Sequence, residues 1–155
     1  MIVTPEEFAH IRRQAEAEYP NECCGVVLVR EGSGERLLFP CRNVQDEYNA
    51  KDPEHYPRTS RTAYKIDHES LRRIFVEFDR DGYRVSVIYH SHIDAGAYFS
   101  PTDKAEALMK GEPRNPEATY VVLSVVEGKG VAAAAFAWNP QEKDFLVVEL
   151  PGLPL

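Results

Sequence analysis

Residues 83–103 read YRVSVIYHSHIDAGAYFSPTD, and the rest of the chain is organised around them. Their first part, Tyr83 to Tyr89, is an apolar run that predicts a strand with side chains alternating between two faces. The predicted faces carry Val85, Val87 and Tyr89 on one side and Ser86, Ile88, His90 and His92 on the other. The two histidines therefore point to the same side of the strand end, close enough for both to bind one metal ion.

The second part of the stretch predicts the start of a helix. Ser100 is placed as the cap, Pro101 as the first helical residue, and Asp103 as the acid three residues after the cap. The helix is expected to continue to about Lys110, and Gly96 lies in a loop that can fold the chain back towards the strand. Backbone donors at the helix start would hold the Asp103 carboxylate in place.

Imidazole and carboxylate are zinc ligands, and three protein ligands leave a fourth position for water. The stretch therefore predicts a hydrolytic Zn²⁺ site formed by His90, His92 and Asp103. Each residue also has a plainer interpretation, since a histidine at a strand end is usually structural. Ser100 and Asp103, taken alone, are more typical of a helix cap. The metal hypothesis depends on the combination.

A hydrolytic site also needs a proton carrier, and Glu22 is the candidate because it lies just before the first predicted strand. If that strand lies beside the histidine strand, Glu22 can exchange protons with the attacking water and the leaving amine. Ser100 could donate its hydroxyl to the developing oxyanion. The neighbouring Cys23 and Cys24 leave an alternative, a Cys24–His90 nucleophilic pair, although a buried small side chain is the more typical role of each cysteine.

The sequence before the histidine strand predicts two helices, three strands and a long loop. Hydrophobic periodicity and Gly, Pro and capping residues give a helix over residues 5–17, strands over 26–29, 36–41 and 62–66, a polar loop over 43–61, and a helix from Asp67 to about Arg80. Residues 111–117 are predicted as a loop, and 119–126, 131–138 and 144–150 as strands. This pattern indicates an α+β fold in one domain over residues 1–155: a mixed, largely antiparallel β-sheet flanked by about three helices.

Composition narrows the function. The chain has 155 residues, a net charge of −7 and three cysteines. The acidic balance argues against a nucleic-acid or anionic membrane partner, and the odd cysteine count without a C-x-x-C argues against a disulfide scaffold. No run is long and apolar enough for a membrane span, so we expect a soluble, cytoplasmic protein.

The site residues together resemble the JAMM metalloprotease motif of the MPN family. That motif is an upstream glutamate followed by H-[ST]-H, seven residues, S, two residues and D. Here it reads Glu22, His90-Ser91-His92, residues 93–99, Ser100, residues 101–102, and Asp103. The resemblance covers nearly the whole chain. It implies an α/β-sandwich-like, cytidine-deaminase-like fold and a zinc metallopeptidase or isopeptidase, with His90, His92 and Asp103 as ligands, Glu22 as general acid and base, and Ser100 as the oxyanion residue. Ser91 receives no catalytic role.

Within the family the chain is similar to the prokaryotic single-domain branch, including the CysO-cysteine-peptidase-like proteins. It lacks the long insertion of eukaryotic deubiquitinases, and Phe99 stands where many members have proline. The resemblance implies a substrate that is a ubiquitin-like or sulfur-carrier protein with a C-terminal Gly-Gly. Such a narrow tail could pass beneath the long loop, walled by Tyr48, Tyr56 and Tyr98, although ordinary packing explains each tyrosine equally well. A non-enzymatic interaction module with a vestigial site is the alternative, and the oligomeric state is left open, with a homodimer as one option.

Overall fold

Eight strands and four α-helices make up residues 1–151, the part of the chain that the computed structural model describes. The helices are α1 (Pro5–Glu18), α2 (Gln45–Lys51), α3 (His68–Arg72), which continues into a π-helical segment, Arg73–Phe78, and α4 (Pro101–Ala107). The strands are β1 (Cys24–Arg30), β2 (Arg36–Cys41), β3 (Tyr83–Ile93), β4 (Leu108–Met109), β5 (Glu112–Pro113), β6 (Thr119–Val126), β7 (Lys129–Asn139) and β8 (Asp144–Val148). Residues 152–155 of the predicted domain lie outside the described part.

Six strands form one sheet in the order β2-β1-β3-β6-β7-β8, and β4 pairs with β5 separately. All neighbours in the large sheet are antiparallel except β3 and β6, which run parallel. The crossover between these two central strands contains α4. The predicted α+β fold with a mixed, largely antiparallel sheet is therefore confirmed.

Each face of the sheet buries its own hydrophobic core. On one face α1 packs against the sheet through Phe8, Ile11 and Ala15, which follow helical spacing and are almost fully buried. Thr4 and Glu7 begin this helix with the predicted capping box. On the other face the core includes Ile74, Phe99, Tyr120, Phe136 and Phe145, and this face carries the histidines.

A bulge in β3 makes one predicted assignment of side chains to the two faces of the sheet wrong. Val87 and Tyr89 face the α1 side as expected, but Val85 packs against the opposite core. The register with β1 shifts here, because Val27 pairs with Val87 while the next residue pairs with Val85. The extra residue, Ser86, reverses the alternation for everything before it.

The strand is also longer than predicted. His90 and His92 lie inside β3 rather than after its end, because β6 pairs with β3 as far as Ile93. On the other edge β1 begins only at Cys24, opposite His90. Beyond that pair, one edge of β3 is bordered by the segment that contains Glu22.

Three other predictions need correction. The segment over residues 43–61, predicted as a polar loop, contains the helix α2. This helix has no side-chain cap, and its only buried residue is the polar Gln45. It therefore lacks both the capping residue and the apolar face by which a helix is recognised in a sequence. The predicted strand over 62–66 is reduced to one bridge, between Asn43 and Ile66. The helix after Ser100 ends at Ala107, where the chain extends into β4. No helix within residues 1–151 is long and apolar enough to cross a membrane.

Candidate metal centre

His90 and His92 reach the same side of the sheet because they are two residues apart on β3. Both side chains are buried; His90 is 0% exposed and His92 5%. Asp103, in the first turn of α4, is 8% exposed and meets both rings. The loop between β3 and α4 thus folds back as expected and brings these three residues together.

The three nearest ligand atoms form an almost equilateral triangle. Nε2 of His90 lies 3.2 Å from Nε2 of His92, and Oδ2 of Asp103 lies 3.2 Å and 3.1 Å from those two nitrogens. A tetrahedral zinc ion with bonds of about 2.0–2.1 Å holds its ligand atoms about 3.3 Å apart. The triangle therefore has the size of one face of a zinc tetrahedron, and the group can hold a metal ion.

The hydrogen bond made by the outer ring nitrogen of His92 favours metal binding. Nδ1 of His92 lies 2.9 Å from the carbonyl oxygen of Gly96. Because a carbonyl only accepts, this nitrogen carries the proton, and Nε2 is left with a lone pair for a metal. The His90 ring is held differently, by stacking on Tyr64 with centroids 4.6 Å apart. Its Nδ1 is buried and has no hydrogen-bond partner within residues 1–151.

Ser100 and Asp103 form the capping box that the sequence predicts. The backbone N–H of Ser100 donates to Oδ2 of Asp103 at 3.0 Å, and the N–H of Asp103 donates to Oγ of Ser100 at 3.0 Å. This fixes the metal-facing oxygen of Asp103. Oγ of Ser100 acts as an acceptor in the cap, so its own hydroxyl proton remains available to a ligand. Capping and site chemistry are therefore compatible roles for the same two residues.

The site balances charge around Asp103. Burial opposes ionisation of this carboxyl, but the adjacent His90 and His92 rings and the backbone N–H of Ser100 hold its pKa well below the usual range. Burial also lowers the pKa of His90, although Asp103 opposes that change. An ionised carboxylate beside a neutral imidazole is the protonation state that binds a metal cation.

Glu22 lies beside this group at the open edge of β3. Its backbone N–H donates to the carbonyl of Ser60 at 2.8 Å, and its side chain is 4% exposed. Oε1 is buried without a hydrogen-bond partner within the described residues. Glu22 shares a cavity of about 230 Å³ with His92 and Ser100. Burial, and then the negative charge of Asp103, raises the pKa of Glu22 to about 9.

The three loop tyrosines and Cys24, which the sequence also singled out, differ in their position relative to the Glu22 cavity. Tyr98 lines the Glu22 cavity and meets the His92 ring edge-to-face at 4.8 Å, whereas Tyr48 and Tyr56 line a larger cavity of about 360 Å³ that does not contain Glu22. Cys24 pairs with His90 in register, but its thiol contacts the Cys41 carbonyl. Burial raises the Cys24 pKa well above its ordinary value, which argues against a thiolate nucleophile.

Several contacts of the site were not predicted. Ser91 accepts a hydrogen bond from the backbone N–H of Cys23 at 2.8 Å and so ties the Glu22 segment to β3. Strand alternation could have indicated this, since Ser91 must face away from its two histidine neighbours. Tyr64 stacks on His90, and Arg58 and Arg61 line the Glu22 cavity. No local pattern marks these three residues, because each enters the site from the irregular chain between α2 and α3.

Comparison with known proteins agrees with this geometry. Residues 4–142 match the family model described as prokaryotic homologs of the JAB domain. The chain is 36% identical over 96 residues to the tail tip assembly protein K of Escherichia phage N15, a match that covers 62% of this chain and 32% of that protein. The chain therefore spans about a third of the length of this relative.

Two solution structures share the fold. Protein DSY2949 from Desulfitobacterium hafniense is 20% identical, with a TM-score of 0.64 over 94% of this chain and 88% of that chain. A protein from Salinibacter ruber (strain DSM 13855) is 25% identical, with a TM-score of 0.57 over 98% of this chain and 94% of that chain. Both similarities extend over nearly the full length of each chain.

Proposed function

The chain belongs to the family of prokaryotic homologs of the JAB (MPN) domain, and on that premise we propose that it is a zinc-dependent peptidase. Its reaction would be hydrolysis of the peptide or isopeptide bond that follows the C-terminal Gly-Gly of a ubiquitin-like or sulfur-carrier protein, in the cytoplasm. The observation that carries the proposal is the shared cavity of Glu22, His92 and Ser100 beside the buried His90–His92–Asp103 group.

His90, His92 and Asp103 would hold the zinc ion, because their donor types and the size of their triangle fit a tetrahedral ion. When bound, zinc would lower the pKa of a coordinated water from 15.7 to roughly 7 and polarise the scissile carbonyl. The chain's own contribution is to hold these side chains rigidly. Gly96 orients the ring of His92, Tyr64 supports that of His90, and the α4 capping box fixes Asp103.

Glu22 has the properties of a proton carrier. It is buried, its Oε1 has no partner within residues 1–151, and it lines the cavity that a substrate would enter. Burial and Asp103 raise the pKa of Glu22 to about 9 in the metal-free protein, so the carboxyl group holds a proton there at neutral pH. A zinc cation held by the neighbouring ligands would lower this pKa and favour the carboxylate form, which can accept a proton. It would take a proton from the attacking water and deliver it to the leaving amine. Its free oxygen needs no rearrangement to do so.

Ser100 supports the same step from the other side of the cavity. Its Oγ already accepts the N–H of Asp103, which fixes the position of the hydroxyl at the start of α4. The hydroxyl proton can then be donated to the oxygen of the scissile carbonyl as negative charge develops there. Ser100 is thus expected to stabilise the transition state without moving.

Adjoining cavities support an extended substrate tail. The Glu22 cavity shares Arg58 and Thr102 with a neighbour of about 170 Å³. That neighbour shares Tyr56, Tyr64 and Lys65 with the larger tyrosine-lined cavity. A Gly-Gly tail has no side chains to hinder its passage past the buried ligands, so this row of cavities supports a narrow peptide entering beneath the α2 segment.

The proposal is tested with a panel of ubiquitin-like and sulfur-carrier proteins, each extended by a short peptide after Gly-Gly. The protein is incubated with each, and the products are weighed by mass spectrometry. We expect release of at least one carrier ending in Gly-Gly, about one zinc per chain, and no cleavage by Glu22→Gln although its zinc content is unchanged. Full activity of Glu22→Gln would contradict the mechanism. Absence of zinc and of cleavage would favour the non-enzymatic interaction module.

A second candidate follows from the relative in phage N15, which is named as a tail tip assembly protein. The same hydrolytic site could act on a structural protein during assembly of a phage tail. The 36% identity over 96 residues favours this candidate specifically. Phage tail tip proteins added to the same panel separate the two, since cleavage of a tail protein and of no Gly-Gly carrier would replace the first substrate with the second.

A further inference from the structure

Glu22 lies just outside the strand that follows it, so its backbone needs partners other than a neighbouring strand. β1 begins at Cys24, and buried backbone groups are almost always hydrogen-bonded. Cys24 pairs with Cys41 of β2, and continuing this antiparallel register past the end of the ladder places Asn43 opposite Glu22. There the side chain of Asn43 takes over the pairing, because its Nδ2 donates to the carbonyl oxygen of Glu22 at 2.9 Å.

The amide of Asn43 is fully used. Its Nδ2 also donates to the carbonyl of Ala63 at 3.2 Å, and its Oδ1 accepts the backbone N–H groups of Gln45 and Lys65, each at 3.0 Å. An amide offers two donor hydrogens and two lone pairs, so a flipped side chain would turn its oxygen towards two carbonyls. Asn43 is therefore locked in one orientation, and it joins the Glu22 segment to both ends of the chain between β2 and α3.

Both peptide units that flank the Cα atom of Glu22 are held in place. The unit before it is held through the N–H of Glu22, which donates to the carbonyl of Ser60 at 2.8 Å. The unit after it is held at both ends, because its carbonyl accepts from Asn43 and its N–H, which belongs to Cys23, donates to Oγ of Ser91 at 2.8 Å. Since Ser91 lies between the two histidines, this peptide unit connects Asn43 to the strand that carries the metal ligands.

The carboxyl group of Glu22 depends on this backbone for its direction. Its Oε1 is buried without a hydrogen-bond partner within residues 1–151, whereas Oδ2 of Asp103 is held by the backbone N–H of Ser100. A proton carrier must lie within hydrogen-bond reach of the proton that it moves, and a misplacement of about 1 Å can cost about 10²-fold in rate. Contacts that fix the backbone of Glu22 therefore bear directly on proton transfer.

We propose that Asn43 is a positioning residue, whose amide holds the backbone of Glu22 so that the carboxyl group faces the cavity that it shares with His92 and Ser100. The inference rests on the proposed function, because it gives Asn43 a role in proton transfer as well as in folding. Within the described part of the chain, Asn43 is not among the residues that line this cavity. It acts through Glu22 and does not touch the substrate.

Two matched variants separate this role from general support of the segment. Asn43→Ser removes the amide that reaches Glu22, while the shorter hydroxyl can still accept the N–H of Gln45 two residues further on. Asn49→Ser is the control, because Asn49 is also partly buried and its Nδ2 donates to the carbonyl of Tyr56 at 2.8 Å. That bond supports the same irregular segment without contacting the backbone of Glu22.

Hydrogen exchange, followed by NMR on the metal-free protein, tests whether Asn43 holds this backbone. In Asn43→Ser the amide hydrogens of Glu22 and Cys23 should exchange about tenfold faster, the range of one lost hydrogen bond. The amide of Val26, inside β1, should change little, because the opening is local. Asn49→Ser should leave Glu22 and Cys23 at the wild-type rates. An equal rise at all three amides in Asn43→Ser would mean general destabilisation and would overturn the proposal.

Cleavage assays test the role in proton transfer, with the carrier that the panel identifies prepared in two forms. One form has an alanine after Gly-Gly, and its leaving amine needs a proton from Glu22. The other ends in a thioester, whose thiolate departs without a proton because the pKa of a thiol is about 8.5. Asn43→Ser should lower kcat by about 10²-fold for the peptide and by less than about tenfold for the thioester. Its KM and zinc content should match the wild type, and Asn49→Ser should keep both activities.

The outcomes distinguish this inference from the proposed function. Equal losses for the two substrates in Asn43→Ser, or an undiminished kcat for the peptide, would overturn the role of Asn43 while leaving the peptidase intact. If the wild-type protein cleaves no carrier in the panel, the proposed function fails and the role in proton transfer fails with it. A local rise in exchange would then identify Asn43 as a structural residue only.

Discussion

Replacing Glu22 by glutamine should make the metal-free protein more stable, by an amount that grows with pH. The reason is the burial of this carboxyl group, which is 4% exposed and has an unpartnered Oε1 within residues 1–151. Its pKa is raised from an ordinary value of 4.5 to about 9. Above pH 4.5 the unfolded chain loses this proton while the folded protein keeps it, so folding is progressively opposed up to the folded pKa.

The size of this destabilisation follows from the pH range between the unfolded and folded pKa values of Glu22. Each pH unit between the two pKa values costs about 1.4 kcal/mol, so the penalty at pH 7 is about 3 kcal/mol for the pKa values of Glu22. Glutamine does not titrate and avoids it. Burying the glutamine amide adds a cost of its own, but that cost does not change with pH. The difference in unfolding free energy between variant and wild type should therefore rise by about 1.4 kcal/mol per unit from pH 5 to pH 8.

Urea unfolding followed by circular dichroism in the presence of EDTA measures this difference at pH 5, 6, 7 and 8. Glu54→Gln, at an exposed position after α2, controls for the loss of one negative charge. A difference between Glu22→Gln and wild type that stays constant over this range would refute the reasoning. It would mean that Glu22 is solvated or paired in the folded protein and that its pKa is not raised.

Three further predictions concern the metal ligands and the scaffold. His92→Ala should reduce bound zinc to a small fraction of the wild-type value, measured by elemental analysis after dialysis, because it removes one corner of the triangle. Glu7→Gln should destabilise the protein by about 1.5–3 kcal/mol at pH 7, since Glu7 binds Arg36 at 2.7 Å. Burial opposes the lowered pKa of Glu7 but Arg36 prevails, so the stabilisation is present above pH 4.5 and the difference should shrink as pH falls below it. Phe99→Ala should cost about 3–5 kcal/mol in urea unfolding, because Phe99 contacts Tyr120 and two phenylalanines in the core beneath the site.

The sequence predicted the parts of the site that depend on local rules. Strand alternation placed His90 and His92 on one face, and capping preferences placed Ser100 and Asp103 at a helix start. Both patterns depend only on residues that are close in the sequence, so they can be recognised without a structure. The position of Glu22 depended on a condition, namely that the first strand lies beside the histidine strand, and β1 does pair with β3.

The sequence could not predict features that depend on tertiary contacts. The helix α2 has no side-chain cap and its only buried residue is the polar Gln45, which is buried because it supports the Arg58 carbonyl. Neither hydrophobic periodicity nor capping statistics can detect such a helix. The Ser86 bulge arises from pairing with β1. The position of Phe99 is set by an aromatic cluster with side chains of β6, β7 and β8.

The position of Glu22 explains why the fold accepts an unfavourable buried carboxyl group. Two carboxyl groups approach the same site, but within residues 1–151 only the Asp103 carboxylate has close side-chain and backbone partners, namely two imidazoles and the backbone N–H of Ser100. Their pKa values are therefore driven in opposite directions, which leaves Asp103 ionised and Glu22 protonated in the metal-free protein at neutral pH. Moving a hydrogen-bond donor to Oε1 of Glu22 would stabilise the fold and lower the Glu22 pKa, and it would thereby remove the tendency to accept a proton that the proposed reaction requires.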